Sequence, residues 1–72
     1  MSAASSEGKL AGLLRRHRRA AGFTQSELAT RSWLSVRMIR NLESGHTRHP
    51  HRESVRLLAL ALALDHDEEE RL

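Results

Sequence analysis

Residues 24–45, TQSELATRSWLSVRMIRNLESG, leave this chain few choices of fold. Thr24-Gln25-Ser26-Glu27 has the form of a capping box, in which Thr24 bonds the amide three residues on and Glu27 reaches back. Phe23, just before it, is placed to staple onto Leu28. Leu28 and Ala29 turn inward on a short helix that ends near Arg31. Ser32-Trp33-Leu34-Ser35 reads as a tight turn, with Ser35 the N-cap of a further helix and Leu34 the buried residue before it. On that helix Met38, Ile39 and Leu42 share one face, and Val36, Arg37, Arg40 and Asn41 occupy the other. Ser44-Gly45 ends it, Gly45 taking the left-handed conformation. Isolated helices this short are marginal in water, so the remaining chain has to supply their core.

The flanks do so. A preceding helix is expected from about Ser6, where Ser6-Glu7 offers a cap and a first-turn acid, to a stop at Gly22. Leu10, Leu14, His17 and Ala21 form its apolar stripe, widened by Leu13, while Arg15, Arg16 and Arg19 project elsewhere. His17 reads as a core or boundary histidine, because no second metal ligand stands at helical spacing. After the helix pair comes HTRHPH, residues 46–51, a basic loop with the one Pro. A fourth helix starts at His51 or Arg52 with Val55, Leu58, Ala59 and Leu62 as its core stripe, and Leu57 and Leu60 beside it. Asp65-His66-Asp67-Glu68 resembles a second capping box and opens a fifth helix to about Arg71. The expectation is an all-α, compact bundle of five short helices over residues 9–72, preceded by a flexible N-terminus at residues 1–8.

Composition excludes several alternatives. With 72 residues and no Cys there is neither a disulfide framework nor a thiolate zinc site, so stability must come from packing. One Phe, one Trp and no Tyr make the core aliphatic, without the alternation of strands. No apolar run approaches the roughly 20 residues of a membrane span, and the N-terminus lacks a secretory apolar region, so a cytoplasmic location is expected. The net charge of +3 hides an asymmetry: eleven Lys/Arg face three acids between Lys9 and Arg56, whereas five acids face only Arg71 from Asp65 onward. A basic body with an acidic end suits a polyanion surface. No nucleophile with a matched base, paired carboxylates or phosphate-binding Gly loop is present, so no enzyme and no cofactor are expected.

TQSELA, then LS, then Ile39-x-x-Leu42-Glu43-x-Gly45, Pro50 and Leu58-Ala59-x-Ala61-Leu62-x-Leu64 together resemble the phage-repressor-like (Cro/C1, or XRE) helix-turn-helix domain. Arg15-Arg16-x-Arg18-Arg19 leading into Gly22-Phe23-Thr24-Gln25 is similar to regulators of high-GC actinobacteria. The resemblance spans about Leu10 to Leu64. It implies a lambda-repressor-like bundle that places its third helix, residues 35–44, in the major groove of double-stranded DNA. Val36, Arg37, Arg40 and Asn41 would then meet base edges. Thr24, Gln25, Ser35, Thr47 and Arg48 would meet phosphates, and Arg18 would pair with Glu43 as a structural ion pair. The chemistry fits: Arg forks onto guanine, Asn onto adenine, and Val meets a thymine methyl. A homodimer on a palindromic site, or a place as the reader of a larger regulator, also fits this family.

Four positions depart from the pattern. Trp33 and Ala63 stand where the family usually has Gly, the first in a turn that favours positive φ. Either the turn is distorted, or the strain is retained and the indole is free for another use, or the indole covers the core edge. Leu57 and Leu60 stand where charged residues are common, and as i, i+3 neighbours they could form a dimer or partner face. The competing function is a protein-interaction module of the same shape, using Trp33 and Leu57/Leu60 against a sigma factor, toxin or kinase. His46, His49 and His51 lack the convergent ligands of a zinc site, so no metal is expected there.

Overall fold

The computed structural model describes residues 9–47 and 49–72. The helix start expected at Ser6, the N-terminus at residues 1–8 and the phosphate role expected of Arg48 lie outside these residues. The described chain is all-helical: α1 (Lys9–Ala20), α2 (Gln25–Ser32), α3 (Val36–Ser44), α4 (Arg52–Ala61) and α5 (His66–Arg71). Its radius of gyration is 11.2 Å, that of a packed chain of this length.

The starts of the helices follow from side-chain caps. The Glu27 amide donates to Thr24 Oγ1 at 3.0 Å and the Thr24 amide donates to Glu27 Oε1 at 2.8 Å. Asp65 and Glu68 repeat this exchange at α5, at 2.8 and 3.1 Å. Ser35 Oγ accepts from the Met38 amide at 3.1 Å. α4 begins after Pro50 without a side-chain cap, His51 holding the cap position.

Three of the helix ends share one device. After α1, Phe23 N–H donates to Arg18 O and Gly22 N–H to Arg19 O; after α2, Leu34 donates to Ala29 O and Trp33 to Thr30 O; after α4, Leu64 donates to Ala59 O and Ala63 to Leu60 O. This is the Schellman pattern, which needs a left-handed residue followed by an apolar one. Phe23, Leu34 and Leu64 are those apolar residues, and each packs against the core. Gly22, Trp33 and Ala63 are the left-handed ones, at φ 80, 63 and 56°. The turn at Trp33 is therefore undistorted. Burying Leu34 forces its neighbour into a conformation that costs an L-residue about 1–2 kcal/mol, and the indole is thrown outward, 88 % exposed. Trp33 does not cover the core edge.

α1 packs on α3, α2 on both α3 and α4, and α5 on α4. Between them lie Leu14, Leu28, Ala29, Ile39, Leu42, Leu58 and Leu62, with Leu10, Val36 and Met38 at the margin. Two expectations change. The buried line of α1 is Ala11 and Leu14, with Leu10, His17 and Arg18 half-buried beside it, so His17 sits at the core boundary as expected, whereas Ala21 is exposed. The helix ends at Ala20, so Ala21 lies in the turn, and Arg18 is drawn inward beside His17 by its bonds to Glu43. Ser32 belongs to α2 rather than to the turn and is buried, which it tolerates because its hydroxyl donates to Ala29 O at 3.3 Å. On α4, Leu57 is half-buried and Leu60 is 72 % exposed.

Candidate nucleic-acid interface

α3 turns Ile39 and Leu42 into the core, and this fixes what its opposite side presents. Arg37 and Arg40 are exposed, and Asn41 is half-buried. Val36 is half-buried and packs against the core, so less of it faces outward than the sequence pattern suggests. Past the helix, Thr47 N–H donates to the Asn41 carbonyl at 3.2 Å, folding the loop back on α3. Ser44 Oγ also donates to that carbonyl at 3.2 Å and lies 2.8 Å from His46 Nδ1.

Two helix N-termini flank this surface. At α2 the Glu27 amide goes to the Thr24 hydroxyl and the Leu28 amide to the Thr24 carbonyl, leaving those of Gln25 and Ser26 as first-turn donors. At α3 the Met38 and Ile39 amides go to Ser35, leaving those of Val36 and Arg37. Free amides with the positive end of a helix dipole suit an anion. The Thr24 and Ser35 hydroxyl oxygens accept the cap bonds, which occupies a lone pair and not the O–H that an anion would accept from.

The centre of the arrangement is Glu43, only 4 % exposed. Arg18 Nε donates to its Oε2 at 2.6 Å and Arg18 Nη2 to its Oε1 at 3.0 Å, a two-point grip. Arg18 Nη1 also donates to Phe23 O at 2.9 Å, tying the end of α1 to the same node. Two further partners escaped sequence reasoning. Gln25 Nε2 donates to Glu43 Oε1 at 3.1 Å, and Arg15 Nη2 donates to the Glu43 carbonyl at 2.9 Å. Arg15 was expected to project elsewhere. It sits one turn before Arg18 on the same side of α1, which is the signal that could have found it. The Gln25 amide is held by this bond and keeps a second N–H for an outside acceptor.

Burial alone would raise the Glu43 pKa. The hydrogen bonds from Arg18 and Gln25, with the charges of Arg18 and Arg15, outweigh it and hold the carboxyl below its ordinary value. The same hydrogen bonding raises Arg18 above its usual range. Glu43 therefore stays ionised and Arg18 stays charged, so the node is a fixed ion pair. It orients Gln25 and anchors the end of α3 to α1.

Trp33 stands in the turn between α2 and α3, beside this surface rather than within its hydrogen bonds. Leu57 and Leu60 lie on α4. Among the described residues no group of three or more His, Cys, Asp or Glu is arranged to hold a metal ion, and no helix is long and apolar enough to cross a membrane.

The family model described as helix-turn-helix matches residues 14–68. No curated protein and no solved structure matches the chain.

Proposed function

The chain belongs to the Cro/C1-type helix-turn-helix family, a family of DNA-binding regulators, and on that premise we propose that it binds double-stranded DNA sequence-specifically as a transcriptional regulator. The observation that carries this reading is the division of α3: Ile39 and Leu42 are fully buried, while Arg37, Arg40 and Asn41 lie on the outward side. In this reading residues 35–44 enter the major groove, with Arg37, Arg40 and Asn41 at base edges and Val36 against a thymine methyl. The amides of α2 and α3 and the side chains of Gln25, Thr47 and Arg48 hold the flanking backbone. No catalysis and no cofactor belong to this reading, and the protein acts in the cytoplasm, at the nucleoid.

Selection of bound duplexes from a random pool tests it. A palindrome with half-sites about 34 Å apart supports a dimer, a single enriched site supports a monomeric reader, and no enrichment overturns sequence-specific binding.

A second reading draws on Trp33 and the Leu57/Leu60 pair, Trp33 and Leu60 being the large apolar side chains left exposed among the described residues. They suit a protein partner such as a sigma factor, toxin or kinase, or a second copy of this chain. Salt dependence separates the two. Affinity for DNA falls steeply with salt in proportion to the phosphates contacted, whereas an apolar protein contact barely responds.

A further inference from the structure

A shallow basin of about 330 Å³ is lined by α1, α3 and the first residue of α2. Glu43 and Arg18 contribute to it, and Arg15, Arg19 and Arg40 contribute three further guanidinium groups. Glu43 is the one acid of the lining, and its charge is matched by the grip of Arg18. Four arginines against one carboxylate leave an excess of three positive charges in the lining, Arg15 sharing Glu43 with Arg18 at 4.0 Å. Arg19 and Arg40 are exposed, and Arg15 is held in place at the Glu43 carbonyl while its Nε remains 4.0 Å from Glu43 Oε1. Like charges gathered around one concavity repel each other and raise the potential there, so the site gains most from an anion. Guanidinium forks match phosphate oxygens in two-point geometry.

We propose that Arg15, Arg19 and Arg40 form a site for a phosphate group, filled by a backbone phosphate of duplex DNA. The proposal rests on the DNA-binding reading for the source of the phosphate, and the geometry of the basin alone supplies the site. It moves Arg40 away from base reading. Arg40 lines the basin with the arginines of α1, whereas Arg37, one turn earlier, does not. The helix that precedes the helix-turn-helix thereby joins the DNA-facing surface. A free phosphorylated small molecule offers the same chemistry, and the test separates the two sources.

The test has two arms on the full chain, both with circular dichroism to show that Arg19→Ala and Arg40→Ala, substitutions of exposed side chains, keep the fold. In the first arm, pyrophosphate is titrated without DNA while the arginine Nε–H signals are followed by NMR. Saturable shifts at Arg15, Arg19 and Arg40, lost in Arg19→Ala, support the site. In the second arm, duplex affinity is measured against salt for the wild type, Arg19→Ala, Arg40→Ala and Arg37→Ala. The expected result is that Arg19→Ala and Arg40→Ala each weaken selected and random duplexes by the same several-fold factor. Each also lowers the slope of log affinity against log salt by about 0.9 and leaves base preference unchanged. A changed preference at one base pair in Arg40→Ala overturns the reassignment of that residue. Pyrophosphate shifts combined with unchanged duplex affinity overturn DNA as the source and leave a free phosphate ester. If the wild type binds no duplex, the functional reading fails and the pyrophosphate arm alone decides the site. No response in either arm overturns the site itself.

Discussion

Arg18 grips both carboxylate oxygens of Glu43, Nε to Oε2 at 2.6 Å and Nη2 to Oε1 at 3.0 Å. The bond joins residues that are 25 positions apart and fixes the end of α3 against α1.

Breaking this pair from one side is expected to be costly. Arg18→Met keeps an apolar stem but leaves Glu43 ionised and nearly buried, a loss of about 3–5 kcal/mol. A domain of this size is stable by roughly 4–11 kcal/mol, so the variant is expected to lose a large fraction of its stability. Adding Glu43→Leu removes the orphaned charge and is expected to recover most of the loss. Urea denaturation measures both variants, and a single-variant loss under about 1 kcal/mol would show the pair to be dispensable.

Acid acts on the same node. The folded state holds Glu43 below its ordinary pKa of 4.5, so folding releases protons from this group. Its stabilisation is complete above that value and is lost as pH falls through it towards the folded value. Glu27 shifts the same way, because the Thr24 amide and then the Thr24 hydroxyl bond its carboxylate. Thermal melts are expected to hold a steady midpoint down to about pH 5 and to fall below about pH 4.5. A midpoint unchanged down to about pH 3 would contradict the assignment.

The left-handed positions without glycine offer the opposite change. Trp33→Gly and Ala63→Gly each relieve about 1–2 kcal/mol of backbone cost, offset by glycine's extra entropy of roughly 0.5–1 kcal/mol. A net gain of about 0.5–1 kcal/mol apiece is expected, read as a rise of a few degrees in midpoint. A destabilised Trp33→Gly would mean that the indole packs on something in the folded chain.

Leu60, 72 % exposed on α4, tests self-association. If Leu57 and Leu60 form the dimer face, Leu60→Glu shifts the mass seen by light scattering from dimer to monomer. A wild type that is already monomeric, and unchanged by the substitution, removes that interface.

What could be read in the sequence was local. Thr24, Ser35 and Asp65 announced helix starts because a short polar side chain can satisfy a first-turn amide only there, and Gly22 and Gly45 marked two of the ends. The positive φ demanded at position 33 was legible as well, but the outcome depended on burial of Leu34, a tertiary effect. The inward turn of Arg18 on α1 is absent from the periodicity for the same kind of reason. Periodicity counts an arginine as polar, and Arg18 enters the interior only because Glu43 meets it there. Convergence of Gln25 and Arg15 on Glu43, and of Arg40 with the arginines of α1, required three helices to be in place. Spacing along one helix does not contain that information.

Trp33 also determines how this protein can be watched. It is the one tryptophan, tyrosine is absent, and the ring is already in water when the chain is folded. Its ultraviolet emission therefore resembles that of an unfolded chain before any helix melts, and a denaturation curve recorded by that light would be nearly flat. A macromolecule that covers the turn between α2 and α3 changes the emission at once. The chain carries a lamp that is blind to its own unfolding and lit for contact at the helix-turn-helix.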